Sequence, residues 1–560
     1  PPVTINSADT LAWKKLKEAV AAADDGDIFI IDGAIQATSA GGNSGEIAVT
    51  KNITVQGKNG AGTDILDADN ETGGKPAHRI FKVDGASATL TLENLTLKNG
   101  YAKTAGDTLG GGILVTNGGK LTLKNTTIST CIADYGGAVT VDGTSSSVTM
   151  ESGSLTANTA TTLGGAVNVD NGASFTMTGG TINGNTGKSG GGGAYVHAGT
   201  FTLGAGALIT SNTAEGRNGG GVYVDSGGTL DIDGGAIKSN NATKSGSAVG
   251  NGGGVYVFGS TASKGKVRMT AGEISGNAAG LDGAAYIGEG GGVYNEGGTV
   301  EISGGEIKSN TAQYGGGIYV KGAGATLTMN GGEIKNNTAK YGGGVYVKDA
   351  GATLTMSGGT ISANNAVTAS AADTDGGNGG GVSIYNAAFT LKAGTISNNT
   401  AARDAGGVRL FGGTFTMEGG VIEGNTVTGT STASGTGRAG GVEIVAATMN
   451  MKGGEIKNNT AKNGGGGVQL GLSGASHSVL NMTGGTISGN TLTETSGTGK
   501  GVEFFTGSTT HGSTTYYTIM KMSGSAKVDV DNDVYVNDSR MITVDGALTG
   551  TAPAARITPK

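Results

Sequence analysis

One cysteine, Cys131, stands in 560 residues, so no disulfide within the chain can hold it together. Aromatic residues make up 5% and charged residues 14%, the latter well below the usual quarter of a globular chain. Lysine and arginine form no run and the net charge is -7, which leaves no basic stripe for a phosphate backbone. Nucleic acid is therefore excluded as an expected partner. No stretch of about 20 apolar residues appears, so no transmembrane segment is expected, and the opening Pro1-Pro2-Val3-Thr4 is no signal peptide. A mature or trimmed chain fits that opening.

What is abundant is glycine, 113 residues, and it recurs at fixed places. A block of about 26 residues repeats down the chain, clearest at 315–345 as Gly-Gly-Gly-Ile-Tyr-Val, Ala-Thr-Leu-Thr-Met and Gly-Gly-Glu-Ile-Lys-Asn-Asn-Thr-Ala. The first apolar residues after the glycine runs, such as Val139, Val167, Ile318 and Val345, are mostly 25 to 28 apart and 33 to 38 apart in five places. A short fixed period marks a solenoid, in which each unit buries its apolar face by stacking on its neighbours.

Within a unit, apolar and polar residues alternate, as in Val345-Tyr346-Val347 and Leu354-Thr355-Met356. That is strand periodicity, punctuated by Gly, Asn and Thr. Three short strands per turn fit the period: a Gly-Val-Tyr-Val strand, a Thr-Leu-Thr-Met strand and a Gly-Thr-Ile-Ser strand. The reading is an all-β, single-stranded parallel β-helix of about 16 turns, which at the usual strand spacing would make a rod on the order of 75 Å long.

The ends of such a solenoid expose strand edges that need cover. Ser7 or Asp9 can cap a helix at about 9–23, in which Leu16, Ala19, Val20 and Ala23 follow Trp13 at helical spacing. With the strand Ile28-Phe29-Ile30-Ile31 it forms an expected N-terminal cap over 1–46. A continuous β-helix is expected over 47–546, and 547–560 read as the end of an excised segment.

The opening, with its short helix, Gly26-Asp27-Ile28-Phe29-Ile30 and Ile53-Thr54-Val55-Gln56-Gly57, resembles the cap of pectin-lyase-like right-handed β-helix proteins. That resemblance implies right-handed winding. Gly-Gly-Ala-Val at 136–139 and 164–167 is similar to half of the repeat signature of chlamydial polymorphic outer-membrane proteins, although the companion Phe-x-x-Asn is missing from its place. Asn532-Asp533-Val534-Tyr535-Val536 resembles the last turns of repeat-rich surface proteins of spirochaetes and anaerobic bacteria. These likenesses imply a bacterial protein that is extracellular or on the cell surface, an adhesin.

Three columns of side chains follow from the period. An asparagine stands three residues after the apolar residue of the third strand: Asn158, Asn185, Asn212, Asn240, Asn277, Asn310, Asn337, Asn364, Asn399, Asn425, Asn459 and Asn490. Stacked one per turn, these amides can satisfy one another and the backbone of the corner, a structural ladder. Cys131 holds the same slot and reads as a buried neutral thiol. On the second strand the outward residue is mostly threonine, from Thr122, Thr149, Thr176 and Thr202 to Thr328, Thr355, Thr390 and Thr416. Asp231, Arg268 and Glu301 interrupt the uniform array that an ice-binding surface would need.

On the first strand the outward position is tyrosine in six successive turns: Tyr195, Tyr223, Tyr256, Tyr294, Tyr319 and Tyr346, out of 15 tyrosines in all. Two readings stand. The rings stack along the sheet, at roughly 0.5–1 kcal/mol per pair, or they form an exposed platform for a glycan or a protein. The five long repeats place their extra residues, as at 366–378 and 426–439, at the corner bordering this face, where solenoids build binding rims.

Chemistry is sparse. His78, His197, His477 and His511 lie far apart, and isolated outward acids such as Asp231 and Glu301 do not make the carboxylate pair of a glycosidase. Two acidic clusters remain, Asp64, Asp67 and Asp69, and Asp373, Asp375 and Asn378; the second follows an Asp-x-Asp-Gly-x-Asn pattern that can bind Ca²⁺, but the rest of a calcium loop is missing. The expectation is a monomeric, non-enzymatic protein without cofactor that binds a host or environmental glycan or protein. A polysaccharide lyase or hydrolase and a passive stalk are the alternatives.

Overall fold

The computed structural model describes residues 2–69, 78–103, 106–282, 285–368, 376–429, 436–505, 508–511, 513–537 and 540–560. The chain divides into two compact units, Pro1–Gly288 and Glu289–Lys560. Each is a stack of parallel strands, and one helix of α type, α1 (Ala12–Ala21), is present among the described residues.

In the first unit a typical turn runs through Val139–Asp142, Ser147–Met150, Gly153–Thr156 and Thr159–Leu163. Each segment pairs in parallel with its counterpart one turn on, in registers Val139↔Val167, Val148↔Phe175, Leu155↔Ile182 and Ala160↔Gly187. The second unit repeats this, with Ile318↔Val345, Leu327↔Leu354, Ile334↔Ile361 and Ala339↔Ala366. A turn therefore holds four strands, one more than the three expected. The fourth is the Thr-Ala segment after the ladder asparagine, often only two residues long, too short for alternation to reveal it. Its inward residue is small and buried, as at Ala160, Ala214, Ala339 and Ala401.

Inward residues repeat by column. Val, Leu, Ile, Met and Phe fill the interior at 0–1% exposure, including Val148, Leu155, Ile182, Leu327, Ile334 and Met356. Like residues stack on like: Phe175 lies 5.0 Å from Phe201 with rings 8° apart, and Phe389 lies 4.6 Å from Phe415 at 3°. The corner before the first strand depends on glycine. Gly315 has φ +59°, and a Cβ on Gly316 would lie 2.6 Å from the carbonyl oxygens of both Gly343 and Thr338.

Helix α1 is shorter than expected, and neither Ser7 nor Asp9 caps it. Leu11 holds the N-cap position in a left-handed conformation without a side-chain cap bond. Asp9 instead accepts from the Asn6 N–H at 3.0 Å and from Lys15 Nζ at 2.9 Å, closing the turn before the helix. The apolar side of α1 carries Trp13, Leu16 and Val20 into the interior, and Trp13 Nε1 donates to Gly45 O at 2.9 Å.

Candidate functional site

Five of the six tyrosines are buried. In the first unit Tyr195 and Tyr256 are 8% and 3% exposed, and in the second Tyr294, Tyr319 and Tyr346 are 1%, 1% and 6% exposed. Tyr223 is half-buried. Of the two readings, the stacked one describes these rings, which pack against one another. Tyr195 and Tyr223 lie 5.4 Å apart edge to face, Tyr223 and Tyr256 4.8 Å; Tyr319 sits 5.1 Å from Tyr294 and 5.2 Å from Tyr346. The Tyr195 hydroxyl donates to Asp225 Oδ2 at 2.7 Å, and burial followed by that bond raises its pKa.

A second column, five residues earlier, covers them. The glycine corner folds the chain so that the residue before it lies beside the middle residue of the next strand. In the second unit the covering residues are Glu289, Tyr314, Tyr341, Asn378, Asp404, Arg438, Gly464 and Thr498, bridged turn to turn. Tyr314 stacks on Tyr341 at 4.9 Å and leans on Tyr346 at 5.3 Å. In the first unit Tyr135 covers Thr140, whose hydroxyl donates to Tyr135 O at 2.9 Å.

Beyond the aromatic turns of the second unit the same double column carries charge. Asp404 lies near Arg409, and Arg438 reaches toward Glu503 with its guanidinium 4.9 Å over the Phe505 ring. Arg409 Nε donates to Glu443 Oε2 at 3.0 Å, Arg403 Nε lies 3.4 Å from Asp404 Oδ2, and the Arg438 backbone N–H donates to Asp404 Oδ1 at 3.2 Å. Asp404 and Glu443 are each 7% exposed and Glu503 6%. Burial first, and then the Glu443 charge, push the Asp404 carboxyl up to about 7, and burial also raises Glu503. Alternation alone did not find this cluster, because it treats the outward column as solvated and does not pair it with the residue five positions earlier. The spacing of five between Asp404 and Arg409 is the signal the sequence carries.

The asparagine ladder forms as expected within each unit. It runs from Asn158 through Asn185, Asn212 and Asn240 to Asn277, and from Asn310 through Asn337, Asn364, Asn399, Asn425 and Asn459 to Asn490. At each rung one Oδ1 accepts the backbone N–H and the amide of the preceding asparagine, as Asn337 does at 2.9 and 3.0 Å. Its own amide reaches Ile307 O at 2.9 Å. Asn532 adds a rung, accepting from Asn490 at 3.1 and 2.8 Å. It stands four residues after Val528 rather than three, so the spacing rule passed over it.

Cys131 is fully buried in the ladder slot, its N–H donating to Asn158 Oδ1 at 3.0 Å, and burial pushes its thiol up to about 12. The native thiol should therefore resist a disulfide reagent at pH 8, with one equivalent reacting once the chain is unfolded in denaturant. Prompt labelling of the native protein would contradict the buried placement.

The threonine column is in register and half-buried. In the first unit Thr54, Thr91, Thr122, Thr149, Thr176 and Thr202 pair in sequence before Asp231; in the second, Thr328, Thr355, Thr390 and Thr416 do so before Asn450. Two residues earlier, on the same face, stand Thr89, Ser147, Ser174 and Thr200, and in the second unit Thr326, Thr353 and Thr414. A second, shorter row of hydroxyls thus flanks the first in both units, broken by Lys120 in the first and by Ala388 in the second. Arg268 neutralises Asp231 through two bonds of 2.6 and 2.8 Å.

Among the described residues no group of three or more His, Cys, Asp or Glu could hold a metal ion. Asp373 and Asp375 lie outside the described residues, and Asn378 is buried in the covering column. Asp64 is spent on structure: it accepts from the Gly33 N–H at 2.8 Å, the Gly60 N–H at 2.9 Å and the Asn59 amide at 3.1 Å. The histidines stay apart. His78 packs on Trp13, His197 pairs with Asp170 at 2.8 Å and His477 contacts Tyr517. No helix among the described residues is long and apolar enough to cross a membrane. No protein-family model, curated protein or solved structure matches this chain.

Proposed function

We propose that this chain is a secreted or surface-displayed bacterial binding protein, adhesin-like and without catalytic activity, that engages an extended glycan or protein along its threonine-bearing face. The winding is right-handed over about 16 turns, with α1 covering the first of them. One observation supports the choice of face: the hydroxyl rows are half-exposed and in register, whereas five of the six tyrosines are buried. Hydroxyl groups repeated at a fixed strand spacing offer donors and acceptors to a ligand that itself repeats. A carbohydrate-active enzyme is the second reading, favoured by the buried Asp404, whose carboxyl is raised by burial and by the charge of the buried Glu443.

The test is retention of the protein on a panel of insoluble polysaccharides and extracellular matrix proteins, with release of reducing and unsaturated ends measured alongside. Binding without product, weakened at least tenfold by Thr149→Lys, Thr176→Lys and Thr202→Lys together, is the expected result. Product release abolished by Asp404→Asn would establish the enzyme instead, and no retention on any member would leave a stalk.

A further inference from the structure

The charged stretch of the double column in the second unit is a built arrangement that binding along the threonine face does not use. Three carboxyl groups, Asp404, Glu443 and Glu503, meet three guanidinium groups, Arg403, Arg409 and Arg438, in a region largely closed to solvent. The groups come from every segment packed there. Arg403 and Asp404 precede one glycine corner, and Arg409 lies on the strand Val408–Phe411, near the buried Tyr346. Arg438 precedes the next corner, with Glu443 on Val442–Val445, and Gln469 and Glu503 follow on later strands. Lys462 is turned to Gly429 O at 3.3 Å, and Asp533, 7% exposed, accepts the Lys500 N–H at 2.9 Å.

Backbone bonds between successive corners pass through the residues of the cluster or lie directly next to them. The Gly379 N–H donates to Asp404 O at 3.0 Å, the Ala405 N–H to Arg438 O at 3.1 Å, the Gly437 N–H to Arg403 O at 2.8 Å and the Ala439 N–H to Gly464 O at 3.1 Å. These corners are where the long segments 366–378 and 426–439 rejoin the stack. One glutamate oxygen, Glu503 Oε2, is buried without a hydrogen-bond partner.

We infer that this cluster is a proton-operated latch, closed while Asp404 carries a proton and loosened when its ionisation places a further carboxylate charge beside Glu443. The physical basis is that a second anion near the first, away from water, costs more than the arginines return. The direction follows from the environment of Asp404, whose carboxyl is raised by burial and by Glu443. A carboxyl raised on folding contributes stability that is full in acid and is lost as the pH climbs through its folded value. The corners that carry the long segments are thus fastened under mildly acidic conditions and released at neutral to alkaline pH.

Hydrogen exchange on the intact chain tests this, with rates corrected for the intrinsic pH dependence. Between pH 5 and pH 8 the amides of Gly379, Ala405, Gly437 and Ala439 should lose at least tenfold in protection relative to those of Asn310 and Thr338. Asp404→Asn should hold the first group at its pH 5 protection throughout. Glu443→Gln keeps the side chain's shape and removes the charge that helps hold the proton on Asp404, so it should move the transition to lower pH. A flat wild-type profile, a slope that survives Asp404→Asn, or a midpoint that Glu443→Gln fails to lower overturns the latch. Should Asp404→Asn not fold, the Glu443→Gln midpoint decides alone.

Discussion

Gly316→Ala destabilises the second unit by roughly 4 kcal/mol or more, read as a collapse of the denaturant midpoint. The new methyl would sit 2.6 Å from the carbonyl oxygens of Gly343 and Thr338. Neither oxygen can retreat. Gly343 O accepts the Gly317 N–H at 3.2 Å, and Thr338 lies on a strand paired to both neighbours. Overpacking against a side chain relaxes by rotation, but here the only escape is to pry adjacent turns of the stack away from each other. Gly62→Ala is the control, since a Cβ there meets nothing within 4 Å; it should change stability by less than about 0.5 kcal/mol. Equal effects at the two positions would show that the corner is not close-packed.

Asn337→Ala costs roughly 3–5 kcal/mol, because it strips both sides of a buried rung. The Asn310 N–H and the Asn310 amide lose the oxygen they share, and Ile307 O loses its donor. No water reaches a site where Asn310, Asn337 and Asn364 are all 0% exposed. Thr328→Ala, on the half-buried outer face one strand earlier, should cost less than about 0.5 kcal/mol. The readout is equilibrium denaturation with proteolysis mapped by mass, in which Asn337→Ala exposes cleavage sites within 305–345. A loss below about 1 kcal/mol would mean that the ladder is ornamental to stability.

How much was legible from the chain depends on what each column needs. The inward Val, Leu, Ile and Met rows and the ladder asparagines are constrained turn by turn, so period and alternation located them, down to Cys131 standing in for an asparagine. The fourth strand escaped because a two-residue segment such as Asn365–Ala366 has no period of its own. The tyrosines were placed on the correct strand and face, as the Tyr319↔Tyr346 pairing shows, yet their burial was not foreseen. Alternation says which side of a sheet a residue takes and nothing about what another segment lays over it. Here the cover comes from across a glycine corner. The same omission hid Asp404, whose neighbour Arg409 stands at a distance of five in sequence rather than two.

The long segments have a further consequence. Asn337 is followed by its corner glycine, Gly342, after five residues, whereas Asn364 is followed by Gly379 after fifteen. Both stretches start from a ladder rung and end on a bridge between corners, Tyr341↔Asn378 in the longer case. The stack is thus indifferent to what lies between two fixed anchors. Evolution, or an engineer, can change the length and sequence of that interval without renegotiating any neighbouring turn, which makes it a mounting point whose cargo is free to vary while the mast stays the same.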